Sequence, residues 1–216
     1  GDQAGAVGTI EALGGSISAD LLTIGNAGTG NVTSAATIAA KNIVIGNAET
    51  GIGALDSPGT ITTDNLYVGY KGTGNATING GSLAAQNAYI TGTSSQLNTE
   101  AGTTTLTNAT VLAGKLSTGT AGTTSVTGEL ILDGNGSLVN TGATSITKAT
   151  VAEGASILSD AGTLTTGTVV NSGTIANAGT WNTGSSTTST TGTIANTGSI
   201  NVNGDLTTGK VTGTGS

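Results

Sequence analysis

Leu22-Thr-Ile-Gly-Asn-Ala-Gly-Thr-Gly-Asn-Val32 returns along the chain as Leu66-Tyr-Val-Gly-Tyr-Lys-Gly-Thr-Gly-Asn-Ala76, and Val44-Ile-Gly-Asn-Ala-Glu-Thr-Gly51 is a shortened copy between them. Each copy follows a short β-branched run led by Ile17, Ile38 or Ile61. Repetition on this scale signals stacked supersecondary units, each covering the apolar face of its neighbour. Carried outward, the same marker continues as Leu83, Leu106, Val126, Ile146, Leu164 and Ile200, with a diffuse rung around Trp181. From Ile17 to Leu164 successive markers lie between 18 and 23 residues apart.

Within a repeat the apolar residues alternate, as in Leu66-x-Val68 and Leu130-x-Leu132, and glycine punctuates them. Alternation over short runs is the strand signature, whereas Gly, Thr, Val and Ile are poor helix formers. Two or three short strands in about twenty residues match one coil of a parallel β-helix. Coils rise by the inter-strand spacing of ~4.8 Å, so roughly ten of them make a rod on the order of 45–50 Å long. The expected architecture is therefore all-β, a single solenoid domain over residues 1–216. Coils of about 20–23 residues fill 15–161. Tighter, more degenerate coils fill 162–216, where Asn171-Ser-Gly-Thr-Ile-Ala and Asn177-Ala-Gly-Thr-Trp-Asn set a six-residue beat.

Several local expectations follow. Gly25, Gly46 and Gly69 recur at one offset and suit corners with positive φ. Asn26, Asn47, Asn31 and Asn75 recur at turns, where stacked amides form side-chain ladders. Pro58 cannot donate to a ladder, which places it in an inserted loop, Gly51–Gly59. The stretch Ser185–Gly192 has no large apolar residue and reads either as a bulging loop or as a strand with outward hydroxyls.

Composition narrows function. The 216 residues include 38 Gly and one Pro, with no Cys, His, Met or Phe, and the net charge is −7. All five cations are lysines: Lys41, Lys71, Lys115, Lys148 and Lys210. The chain thus lacks the basic, aromatic surface that nucleic acid requires. No apolar run approaches the ~20 residues of a membrane span. Charged residues are only 8%, yet Val, Ile and Leu recur regularly, which argues for a thin core and against disorder. An acidic, cysteine-free surface rich in Thr, Ser, Asn and Gly suits an extracellular bacterial protein, processed or excised from a longer precursor.

Catalytic raw material is scarce. The common general base and the thiol nucleophile are both missing. Twelve acids are scattered; Asp133 with Glu153, or Glu129 with Asp133, are the pairs that coil stacking would bring together, and solvated turn acids are the favoured reading. Asp133-Gly-Asn-Gly136 echoes the start of a calcium loop without its remaining ligands. No enzyme activity, cofactor or metal is expected. Thr103–Thr105, Thr123–Thr124 and Thr165–Thr166 invite comparison with ice-binding solenoids. Those repeat Thr-x-Thr at one strict offset, whereas the offsets here drift, so threonine is read as a β-former with a soluble face.

Leu66-Tyr-Val-Gly-Tyr-Lys-Gly-Thr-Gly-Asn-Ala-Thr-Ile-Asn-Gly-Gly81 resembles the passenger-domain repeat of bacterial autotransporters, aliphatic-x-Val-Gly-x-x-Gly-x-Gly-x-aliphatic-x-Ile-x-x-Gly. The likeness covers roughly residues 15–100; the C-terminal half is similar, more loosely, to the Gly-Thr-Ile-x-Asn repeats of large secreted adhesins. The resemblance implies a right-handed parallel β-helix displayed outside the cell. The family pattern continues into an aromatic-rich translocator barrel, which this sequence lacks.

Two functional expectations remain. The first is a structural subunit of an extracellular surface fibre or matrix filament, a homopolymer joined head-to-tail through bare solenoid ends. The second is the stalk of an autotransporter-type adhesin that contacts a host surface or glycans. Tyr67, Tyr70, Tyr89 and Trp181 are the residues suited to stacking on sugars; Tyr67 and Tyr70 would face opposite sides if both lay on one strand, but Tyr70 is expected at the turn after Gly69.

Overall fold

The computed structural model describes residues 1–188, 192–207 and 210–216, with no side chain described at 188. Nineteen strands form one continuous sheet among these residues, every pairing is parallel, and no helix is present. The chain is a β-solenoid of about ten turns, as the repeat predicts.

Each coil presents three inward-facing runs. Thr29–Ser34 forms the first side. Thr37–Ile45 forms the other two, because Ile38 and Ala40 point inward, Lys41 and Asn42 both lie toward the outside, and Ile43 and Ile45 point inward again. Two successive outward residues in an alternating strand mark a corner. The same break recurs in Ala143–Val151, where Thr147 and Lys148 lie between buried Ile146 and buried Ala149.

Stacking these sides puts like residues in columns. On the first side Ile10, Val32, Leu55, Ala76, Leu97, Leu116, Leu138, Ile157, Ile175, Ile194 and Val211 are successive neighbours. On the second, Ile17, Ile38, Ile61 and Leu83 stack, then Thr104, Thr124 and Thr144, then Leu164, Trp181 and Ile200. Leu106, Val126 and Ile146 belong to the neighbouring column, which also holds Ala40, Thr63 and Ala85. The sequence marker therefore slips by two residues in the middle coils. It follows the nearest aliphatic, while the true column runs through buried threonines.

The repeated Gly-containing phrase is the corner between the third and first sides. Gly25, Gly46 and Gly69 have φ of 68°, 70° and 72°. A Cβ at Gly46 would overlap the Thr73 carbonyl of the following coil, and a Cβ at Gly74 would overlap the Gly69 backbone nitrogen. The corner is thus too tight for side chains at both ends of Gly69-x-x-x-x-Gly74, which accounts for the spacing.

Three local expectations change. Gly51–Gly59 is no inserted loop: Ile52–Ser57 is a first-side strand, with Gly53, Leu55 and Ser57 inward and Pro58 at the corner after it. Two of its three inward residues are small, so alternation of large apolar residues does not reveal it. Ser185–Thr188 lies in the strand Thr180–Thr188, and Ser186 points into the core. The rest of that segment, up to 191, falls outside the described residues. Asn31 and Asn75 are not ladder partners, because Ala54 stands between them.

Candidate functional surfaces

Inside the middle coils a hydrogen-bonded polar network stands beside the aliphatic columns. Thr99 donates to Thr104 at 2.6 Å, Thr118 to Thr124 at 2.7 Å, and Thr124 to Thr99 at 3.3 Å. Thr144 bridges Thr118 and Asn140, both at 2.9 Å, and Asn140 donates to Ser159 at 3.3 Å. All seven residues are buried. A hydroxyl can replace an aliphatic in a core when each polar atom finds a partner, since an unmatched one costs about 1–3 kcal/mol. Three of these bonds cross a corner within one coil, and three join adjacent coils. No solvent-accessible chemistry results; the network is part of the framework.

Outside, two amide ladders run along the axis. Asn65 donates to Asn42 at 2.9 Å, Asn87 to Asn65 at 3.1 Å and Asn108 to Asn87 at 3.4 Å. Alternation of apolar residues carries no trace of this column, although the common offset of its asparagines does. At another corner Asn47 donates to Asn26 at 2.6 Å and Asn26 to Asp2 at 2.7 Å. A carboxylate only accepts, so Asp2 closes that ladder at the first coil.

Threonine and serine also align outside. Thr60, Ser82, Thr103 and Thr123 are successive neighbours, as are Ala84, Thr105, Ser125 and Ser145 beside them. The drift in repeat length is absorbed at the corners, so the expectation of misaligned hydroxyls is corrected. Alanines at 39, 84 and 143 interrupt the columns.

The acids do not gather. Among the described residues no group of three carboxylates forms a metal-binding cluster. Asp133 accepts from its own turn at Gly134, 2.7 Å. Glu129 meets Lys148 at 3.0 Å and accepts from Thr150 at 3.0 Å, not from another acid. The Lys148 ammonium, then the Thr150 hydroxyl, hold the Glu129 carboxyl below its ordinary pKa.

The aromatic residues divide. Trp181 is fully buried and its indole N–H donates to Thr166 at 2.9 Å, so it offers no surface to a partner. It fills the column between Leu164 and Ile200, and the sequence-based expectation of a surface contact is withdrawn. The three tyrosines converge outside. Tyr67 stacks on Tyr89 of the next coil, centroids 5.0 Å apart and planes at 13°. Tyr70 meets Tyr67 edge-to-face at 5.6 Å and 77°. The strand ends at Val68 and Tyr70 lies at the turn after Gly69, as expected, which brings Tyr67 and Tyr70 into one patch. Lys71 Nζ lies 5.9 Å from the Tyr70 ring centre.

The end coils expose what inner coils bury. Ile10 is 49% exposed at one end; Val211 at 52% and Leu206 at 43% are exposed at the other. Ile10 and Val211 belong to one column, Leu22 and Leu206 to another, and Ile17 and Ile200 to a third. Both ends therefore present aliphatics at corresponding positions of one cross-section.

No family model matches the chain, and neither a curated protein nor a solved structure does; it stands on its own geometry as a β-solenoid repeat protein.

Proposed function

We propose that the chain is a structural subunit of an extracellular bacterial surface fibre or matrix filament, extended by coil-on-coil stacking. The observation that carries this reading is the match of the two end coils, with Ile10, Ile17 and Leu22 exposed or half-buried at one end and Val211, Ile200 and Leu206 at the other, in the same three columns. Stacking the second set on the first would extend three aliphatic columns and satisfy the free edges of the end strands. Such a contact is heterologous and propagates into a filament. An acidic surface rich in Thr, Ser, Asn and Gly, combined with the absence of cysteine, suits an extracellular setting that does not depend on disulfides.

Negative-stain electron microscopy and sedimentation velocity across a wide concentration range test the reading. Filaments of one coil's diameter are expected, shortened or abolished by Ile10→Lys or Val211→Lys. Monomers at every concentration would overturn it. A second reading, the stalk of a secreted adhesin in which further coils of one polypeptide cover the ends, is favoured by one observation, the tyrosine patch.

A further inference from the structure

We infer that Tyr67, Tyr70 and Tyr89 form a binding site for a neutral glycan. The inference deepens the adhesin reading and does not depend on filament assembly.

The chain has four aromatic residues, one of which is buried in the core. The other three lie together on two adjacent coils, outside the core. Core packing does not explain them, since all three face outward. Their phenol hydroxyls make no hydrogen bond to the described residues, which leaves three groups that can both donate and accept.

The patch is rigid. Gly69 and Gly72 donate backbone hydrogen bonds to Ile45 and Gly46 of the preceding coil, at 2.7 and 3.0 Å. On the other side the Thr91 hydroxyl donates to the Gly69 carbonyl. Tyr70 is thus 49% exposed on a loop fixed by both neighbouring coils, and the Tyr67–Tyr89 stack braces its ring. A preorganised ring loses little entropy when a ligand settles on it.

The chemistry around the rings selects the ligand. Tyrosine combines an apolar face, suited to the C–H face of a pyranose, with a polar edge suited to its hydroxyls. Two residues before Tyr67 and Tyr89 on the same outer face stand Asn65 and Asn87. Each amide uses one N–H in the ladder and keeps the second for a ligand. Lys71 is the one cation at the patch, in a chain of net charge −7, so a polyanionic glycan would be repelled overall. A neutral sugar fits rings, phenols and amides without that penalty.

The test is affinity electrophoresis of the full chain in native gels containing galactomannan, β-glucan, dextran or xylan as neutral probes, and alginate as the acidic one. Retardation by at least one neutral polysaccharide is expected, weakened roughly tenfold by Tyr70→Ala and kept by Tyr70→Trp. Circular dichroism verifies that both variants fold, and Tyr67→Ala with Tyr89→Ala provides a second perturbation of the patch. Unretarded migration in all four neutral gels, retardation in alginate alone, or a Tyr70→Ala variant that binds like the parent would each overturn the inference. Filament formation is scored separately, so failure of assembly leaves this outcome readable.

Discussion

The early coils and the middle coils share one backbone path but fill it differently. Ile38, Ile43, Ile45, Ile61, Leu66 and Val68 close the early interior with aliphatics, while the hydrogen-bonded asparagines stand outside. In the middle coils Thr99, Thr104, Thr118, Thr124 and Thr144 occupy inward positions and pair with one another. The difference teaches that a solenoid coil does not demand an apolar residue at every inward site. In these two regions the inward groups are matched within a coil or by its neighbours, through dispersion contacts in one and hydrogen bonds in the other.

Substitutions can break or sharpen that comparison. The largest effect is expected at Trp181, whose removal deletes the largest fully buried side chain among the described residues and strips Thr166 of its donor. Trp181→Ala should cost about 3–5 kcal/mol in urea unfolding. A loss confined to the C-terminal coils would mark local cooperativity, as expected for nearest-neighbour stacking.

Gly46→Ala should come next. It forces a side chain into positive φ and against the Thr73 carbonyl, for a cost on the order of 3 kcal/mol. Gly80→Ala is the control: its φ is 94° but no atom stands within reach of the new Cβ, so only backbone strain of about 1–2 kcal/mol remains. Equal losses at the two positions would refute steric closure of the early corner.

The middle coils are tested by Thr118→Val. This leaves the Thr124 and Thr144 hydroxyls short of a partner and should cost about 1–3 kcal/mol. Replacing Thr99, Thr104, Thr118, Thr124 and Thr144 together by Val should cost less than the summed single changes. Additive losses in a mutant cycle would show that the network acts as independent pairs.

The smallest effect belongs to Glu129 and Lys148. Because the carboxyl pKa is lowered in the folded chain, the pair stabilises above the ordinary glutamate pKa. That contribution fades as pH falls through the lowered folded value. Lys148 is exposed and Glu129 half-buried near the surface, so Glu129→Gln should cost about 0.2–1 kcal/mol at neutral pH and nothing in acid. Carboxyl titration by NMR, with Lys148→Met removing most of the shift, measures it directly.

Much of this was legible in the residues. Ile17, Ile38, Ile61 and Leu83 do stack, and the Leu22 and Leu66 phrases do coincide in space. Beyond Leu83 the aliphatic marker loses the column, because Thr104 looks like a surface residue until its partner Thr99 is seen. Trp181 looks like a ligand contact for the opposite reason, since a lone aromatic in a polar run carries no sign of the Thr166 hydroxyl that satisfies it. The tyrosine patch was half readable: the residues stood out, but their meeting depended on the turn at Gly69.

The amino-acid order alone determined the strand period, the glycine corners and hence the stacked β architecture, because alternation and conformational freedom are local properties. Which polar groups lie inside, which aromatics meet outside and which hydroxyls align were decided only by coil-to-coil register. Those relations join residues some twenty positions apart, and a corner that lengthens or shortens by one or two residues restores the register without leaving a periodic trace in the chain.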